Sequence, residues 1–176
     1  MILKKKYKYI TNNMATSVET TQILNVSLGI SADEVNNNIE NTLLFKLKRQ
    51  LEGKCIREGL VLPGSVEIIS RSAGIAQLSH FNANFIYHIK YSAKICNPLE
   101  GDIIEAEITN INKMGVLAKA GEGDPAPISI LLAKQHHMNN EQFEKLREGY
   151  NIKVKILGKR FDSGESHISI IGMLEK

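Results

Sequence analysis

Two adjacent histidines, His136 and His137 in KQHHMNN, have the right chemistry to hold a metal. Neighbouring side chains on an extended segment point to opposite faces, so the pair chelates poorly. No carboxylate accompanies it at metal spacing, and both read as solvated loop histidines. His80, His88 and His167 are scattered. Cys55 and Cys96 lie far apart, with no CxxC partner and no histidine at ligand spacing. That excludes a structural zinc site and leaves two buried, reduced thiols. Glu105 and Glu107 share one face of a strand, but a catalytic carboxylate pair needs a cleft and separated pKa values, so an exposed strand face is expected. The stretch GEGDPAP (121–127) carries glycines but lacks the Lys-Ser/Thr ending of a phosphate loop. No Ser or Cys has a recognisable base. These residues point away from catalysis, and no metal or cofactor is expected.

What remains is binding chemistry. In NIKVKILGKR, Lys153 and Lys155 are two apart and so share a strand face, with Lys159 and Arg160 following. Lys113 and Lys119 flank an earlier hairpin, and Tyr150 opens the lysine-bearing strand. One reading is a narrow basic strip tracking a phosphate backbone. The other is the solvated face of an amphipathic strand whose Ile152, Val154 and Ile156 are buried. Stacking platforms are scarce: the only Phe or Tyr residues beyond residue 98 are Phe143, Tyr150 and Phe161, and there is no Trp. Phe143 falls in an expected helix, where packing is its use. RNA bound here would be held weakly, without sequence preference, and salt would weaken it further.

The elements that position these residues follow from pattern. A chain of 176 residues with 43% hydrophobic content can bury a core in one large or two small domains. No apolar run approaches the ~20 residues of a membrane helix, and MILKKKYKYI lacks a signal-peptide core, so a soluble intracellular protein is expected. Residues 1–97 hold 12 basic and 7 acidic residues, +5; residues 98–176 hold 10 and 12, −2. Lys4, Lys5, Lys6 and Lys8 sit in a segment without periodicity, which suggests a flexible basic tail over 1–17. The Asn-, Ile- and Lys-rich composition is typical of AT-rich genomes and suggests a large DNA virus or another fast-evolving lineage.

Residues 18–28 read as a strand. Ser31 and Glu34 have capping-box spacing, and Ile30 and Val35 staple spacing. Apolar Val35, Ile39, Leu43, Leu44, Leu47 and Leu51 then predict one helix over 32–51, stopped at Gly53. Strand-like pieces follow at 54–62, 63–74 and 84–97. One helix on an antiparallel sheet makes a small α+β domain over 18–97. Asn97-Pro98 marks a boundary with little linker character. Beyond it, strands at 101–111, 114–120, 127–133, 150–158 and 165–174, with a helix at 139–148, have the order of an OB barrel over 98–176. Gly115 fits a tight bend or bulge.

The stretches QLEGKCIREGLVLPGSVEIISRSAG (50–74) and FIYHIKYSAKICNPLEGDIIEAEITNINKMGVLAKAG (85–121) resemble the seventh-subunit family of multisubunit RNA polymerases, the eukaryotic stalk subunits and the archaeal E subunit. LEGKC (51–55) resembles that family's helix-to-strand turn. YSAKICNPLEGDII (91–104) resembles its junction, and NKMGVLA (112–118) the first hairpin of its S1-type OB domain. The resemblance covers residues 18–174. It implies a non-catalytic stalk subunit, a tip domain wedged into the core near the clamp and a barrel directed toward the RNA exit path. Implied partners are the largest polymerase subunits, a second stalk subunit and, weakly, nascent RNA. The implied location is inside the polymerase complex, in the nucleus, or in cytoplasm or virion for a virus.

On this reading Lys54, Ile56, Arg57, Leu60 and Arg71 carry the docking surface. Lys113, Lys119, Tyr150, Lys153, Lys155, Lys159 and Arg160 carry any RNA contact. The chain departs from the family pattern in its first residues and in the missing ring after Gly115. The alternative is a free-standing S1-type RNA-binding protein in translation or RNA decay. Such a protein has no need of the capped helix, LEGKC turn and junction strand.

Overall fold

The computed structural model describes residues 18–77, 84–121, 125–138 and 140–175. Lys4, Lys5, Lys6, Lys8, His80 and Gly123 lie outside them. Two compact units are present, one spanning Glu19–Cys96 and one running from Asn97 onward. Among the described residues no helix is long and apolar enough to cross a membrane.

The first unit contains β1 (Glu19–Ser31), a 3-10 turn (Ala32–Glu34), α1 (Ile39–Leu51), β2 (Cys55–Ile56), β3 (Gly59–Val61), β4 (Glu67–Arg71), β5 (Ile75–Ala76) and β6 (Asn84–Cys96). β1 and β6 pair antiparallel without a break, from Glu19 opposite Cys96 to Ser31 opposite Asn84. β3, β4 and β5 share the other edge of β6 in succession. Alternation decides the faces. Leu28, Ile30, Tyr87, Ile89, Tyr91 and Ala93 point to one side and pack with Leu43, Leu47 and Leu51 of α1. Each fully buried Leu or Ile contributes about 1.5–3 kcal/mol of transfer free energy, so this seam holds helix to sheet.

The helix begins later than its periodicity predicts. The Ser31/Glu34 box closes only the 3-10 turn, with Ser31 N–H donating to the Glu34 carboxylate at 3.4 Å. Val35 is extended (ψ 109°). Asn36 Oδ1 accepts from Asn38 N–H at 2.8 Å, a local bond that competes with helix propagation. α1 therefore starts at Ile39. It ends as expected at Gly53 (φ 72°). Glu52 (φ −64°, ψ 133°) and Gly53 form a type II turn closed by Lys54 N–H to Leu51 O at 3.2 Å. The strands expected at 54–62 and 63–74 are interrupted: the first is the β2–β3 hairpin, and the second shrinks to β4 with a bulge between Ile68 and Ser70.

The second unit contains β7 (Ile103–Asn112), β8 (Gly115–Ala120), β9 (Ile128–Ala133), a 3-10 turn (Lys134–His137), α2 (Glu141–Glu144), β10 (Asn151–Arg160) and β11 (Ile168–Leu174). Its strands close into a barrel in the order β10-β11-β9-β8-β7, with β9 and β11 parallel and β10 returning to β7. That is the predicted OB topology. Ile108, Ile128, Ile130, Leu132, Ile156, Ile168 and Ile170 fill it, each 2% exposed or less. α2 is a single turn, shorter than the helix expected at 139–148. Asn140 Oδ1 caps it at Gln142 N–H (3.0 Å), and Gly149 (φ 81°) turns the chain out soon after.

Candidate functional site

The docking residues expected from sequence divide. Lys54 and Arg57 are exposed and Ile56 half-buried around the tight β2–β3 hairpin, where Ile56 pairs with Gly59. Leu60 faces inward at 2% exposure, paired with Cys55 on one strand and Cys96 on the other. It is a core residue and offers nothing to a partner. Arg71 pairs with Ile89, whereas Val61 pairs with Ile95, so Arg71 lies six positions along β6 from the hairpin strand, roughly 20 Å away. Its guanidinium is 3.6 Å from Glu40 of α1 and 6.0 Å from the Tyr87 ring centre. Arg71 ties sheet to helix, and the hairpin surface reduces to Lys54, Ile56 and Arg57.

In the barrel, Lys153 and Lys155 do share the outer face of β10, and Ile152, Val154 and Ile156 are buried. Register changes the meaning of the strip. Lys153 stands opposite Glu105, Asn151 opposite Glu107, and Glu107 opposite Lys119 on β8. Lys119 Nζ is 3.4 Å from Glu107 Oε2. Lys153 and Lys119 thus each stand opposite a carboxylate, while Lys155 lies between Ile103 and Met173. A bulge between Ile156 and Gly158 then shifts the register of β10 against β11. Lys159 leaves the strip and its ammonium bonds Asn97 Oδ1 and the Pro98 carbonyl, the latter at 2.8 Å. Arg160 stays exposed beside Asp162 at 3.4 Å. Lys113 is exposed at the β7–β8 hairpin, and Tyr150 is 52% exposed.

His137 is not the solvated loop histidine that its sequence context suggests. It is 5% exposed. Its Nδ1 bonds the Ala133 carbonyl at 2.8 Å, and its Nε2 accepts from Leu174 N–H at 2.9 Å. Phe143 stacks on the ring at 4.3 Å between centres. Phe143 therefore packs, as expected, and His137 closes the barrel by satisfying the end of β11. His136 is exposed.

The sheet face of the first unit that turns away from α1 holds an arrangement the sequence does not announce. Asn25 and Ser70 flank Lys90 on either side, and Ser27 flanks His88. Ser27 Oγ and His88 Nδ1 are 2.9 Å apart, and His88 N–H donates to Ser72 Oγ at 3.0 Å. These residues line an open groove of about 520 Å³. The alternation of β6 already places His88 and Lys90 on one face; the pairing partners from β1 and β4 cannot be read from spacing.

No family model matches the chain. Among curated proteins, DNA-directed RNA polymerase II subunit RPB7 of Glycine max is 27% identical over 145 residues, 73% of this chain and 77% of that protein. DNA-directed RNA polymerase II subunit 7 of Arabidopsis thaliana is 27% identical over 143 residues, 72% and 76% of the two chains. A protein of Acanthamoeba polyphaga mimivirus, named provisionally as a DNA-directed RNA polymerase subunit, is 28% identical over 144 residues, 78% and 72%.

Proposed function

We propose that this chain, a homologue of subunit 7 of RNA polymerase II, is a non-catalytic stalk subunit of a DNA-directed RNA polymerase. Similarity that covers about three quarters of the chain in plant and viral relatives carries this reading. An OB barrel alone would suit many RNA-binding proteins; the α+β unit before it, with its LEGKC turn, suits a polymerase subunit. The Glu19–Cys96 unit docks on the largest subunits near the clamp, and the barrel extends toward the RNA exit path, beside a second stalk subunit. The chain works inside the polymerase complex and supplies surfaces, while nucleotidyl transfer happens elsewhere in the assembly. RNA contact at the barrel is weak, because Glu105 and Glu107 stand beside the lysines that would grip phosphate.

The docking surface is the β2–β3 hairpin. Lys54 and Arg57 are exposed there, so reversing both charges leaves the core intact. The double variant K54E/R57E is expected to fold with an unchanged circular dichroism spectrum and to lose co-elution with the two largest polymerase subunits. Undiminished co-elution would move the docking surface elsewhere on the chain.

A further inference from the structure

We propose that β1 is a docking edge for a second copy of this chain, paired antiparallel with its own counterpart about a two-fold axis at Asn25. This goes beyond the polymerase reading and does not depend on it. β1 ends the sheet order, and among the described residues no strand pairs with its outer edge. Its register with β6 is unbroken, and Asn97 N–H donates to Val18 O at 2.9 Å, so the even-numbered residues turn their main chain toward β6. The main-chain N–H and C=O groups of Thr21, Ile23, Asn25, Ser27 and Gly29 therefore point outward. Folded proteins blunt such an edge with lysine, proline, a bulge or a short strand. β1 has none of these over its 13 residues. β4, on the far side of β6, carries Glu67, Arg71 and a bulge. β2 and β5 are two residues each, and the barrel is closed.

The side chains choose the occupant. Glu19 is the one charged residue of the strand, and Thr20–Ser31 carries none. Charge complementarity sets specificity between unlike partners, and this edge offers almost nothing for it to act on. A second β1 centred on Asn25 overlaps all 13 positions and sets Glu19 against Ser31, so no like charges meet. On the face toward α1, Leu24 of each copy then stands opposite Val26 of the other. The core of one copy covers both residues only in part, and the mate completes their burial. On the opposite face Ile23, 59% exposed, meets Ser27, and the two Asn25 amides face each other on the axis, each able to donate and accept. A strand of 13 residues is about 43 Å long, so an edge contact about 10 Å deep covers on the order of 400 Å² per copy. That is about half a standard interface, and the pairing is weak and reversible.

The test is sedimentation equilibrium of the full chain from low to high micromolar concentration, with amide hydrogen exchange at both ends of that range. A monomer–dimer equilibrium is expected. Dimerisation slows exchange at Thr21, Ile23, Asn25, Ser27 and Gly29, and leaves Gln22, Leu24 and Val26, already bonded to β6, little changed. Asn25 is exposed, so N25K and N25E leave the core intact, and circular dichroism confirms their folding. Each variant puts like charges on the axis and weakens dimerisation about tenfold or more. An equimolar mixture of the two restores it as a heterodimer. A chain that stays monomeric throughout the range would overturn the proposal. So would a dimer that N25K leaves intact, or one whose odd-numbered β1 amides exchange unslowed, because another face then makes the contact. Protection of those amides only when polymerase subunits are added would assign the edge to a foreign strand and also overturn it.

Discussion

Gly115 shows how much one residue can decide. Its φ is 152°, and a Cβ at that position would meet the Leu132 carbonyl oxygen at 2.1 Å. The position also anchors the NKMG turn, where Asn112 Oδ1 accepts from the N–H groups of Met114 (2.9 Å) and Gly115 (3.1 Å). G115A must strain the backbone or push β9 away from β8, at a cost on the order of 2–3 kcal/mol. A denaturant midpoint within error of wild type would refute this account of the hairpin. Glu34 makes a second prediction. The Lys46 ammonium hydrogen-bonds its carboxylate and, with Ser31 N–H, holds its pKa below the ordinary 4.5. The folded state therefore favours the ionised form. That stabilisation is complete above the ordinary carboxyl pKa and disappears as pH falls through the lowered folded value. The melting-temperature gap between wild type and E34Q should shrink on that acid side; a gap constant with pH would sink the assignment.

Elements were legible where one physical signal dominated. The strict alternation of residues 84–97 fixes a strand with one buried face, and Asn84–Cys96 is that strand. The order of five strands was enough for the OB topology, because few other closures accept it. The start of α1 was illegible because two signals competed: apolar spacing continued back to Val35, while three consecutive asparagines offered local bonds that stop a helix. The bulge in β10 was equally hidden, since nothing in ILGKR says which residue loses its partner. Neither could spacing show Glu105 and Glu107 across from lysines, because pairing register is a tertiary property. His137 belongs here too. It joins the turn after β9 to the end of β11, and its two ring nitrogens serve as donor and acceptor at once. H137F keeps an aromatic ring against Phe143 but strands the Leu174 N–H, costing about 1–3 kcal/mol. Hydrogen exchange at Leu174 should accelerate in that variant; unaltered exchange would show that Nε2 does not hold the strand end.

For the whole molecule, the proposed function divides the labour between the two units. On the proposed reading, the Glu19–Cys96 unit supplies the hairpin of Lys54, Ile56 and Arg57 for assembly. The barrel sets Lys119 and Lys153 opposite carboxylates, which suits it poorly to tight RNA binding. A weak contact suffices in a polymerase, where assembly holds the transcript at high local concentration. The central claim is membership of that assembly. Tagged full-length protein should be recovered from its native source at moderate salt and the eluate identified by mass spectrometry. The account predicts the two largest subunits of a DNA-directed RNA polymerase, present in stoichiometric amounts. Ribosomes, ribonucleases or bare RNA without polymerase would contradict it.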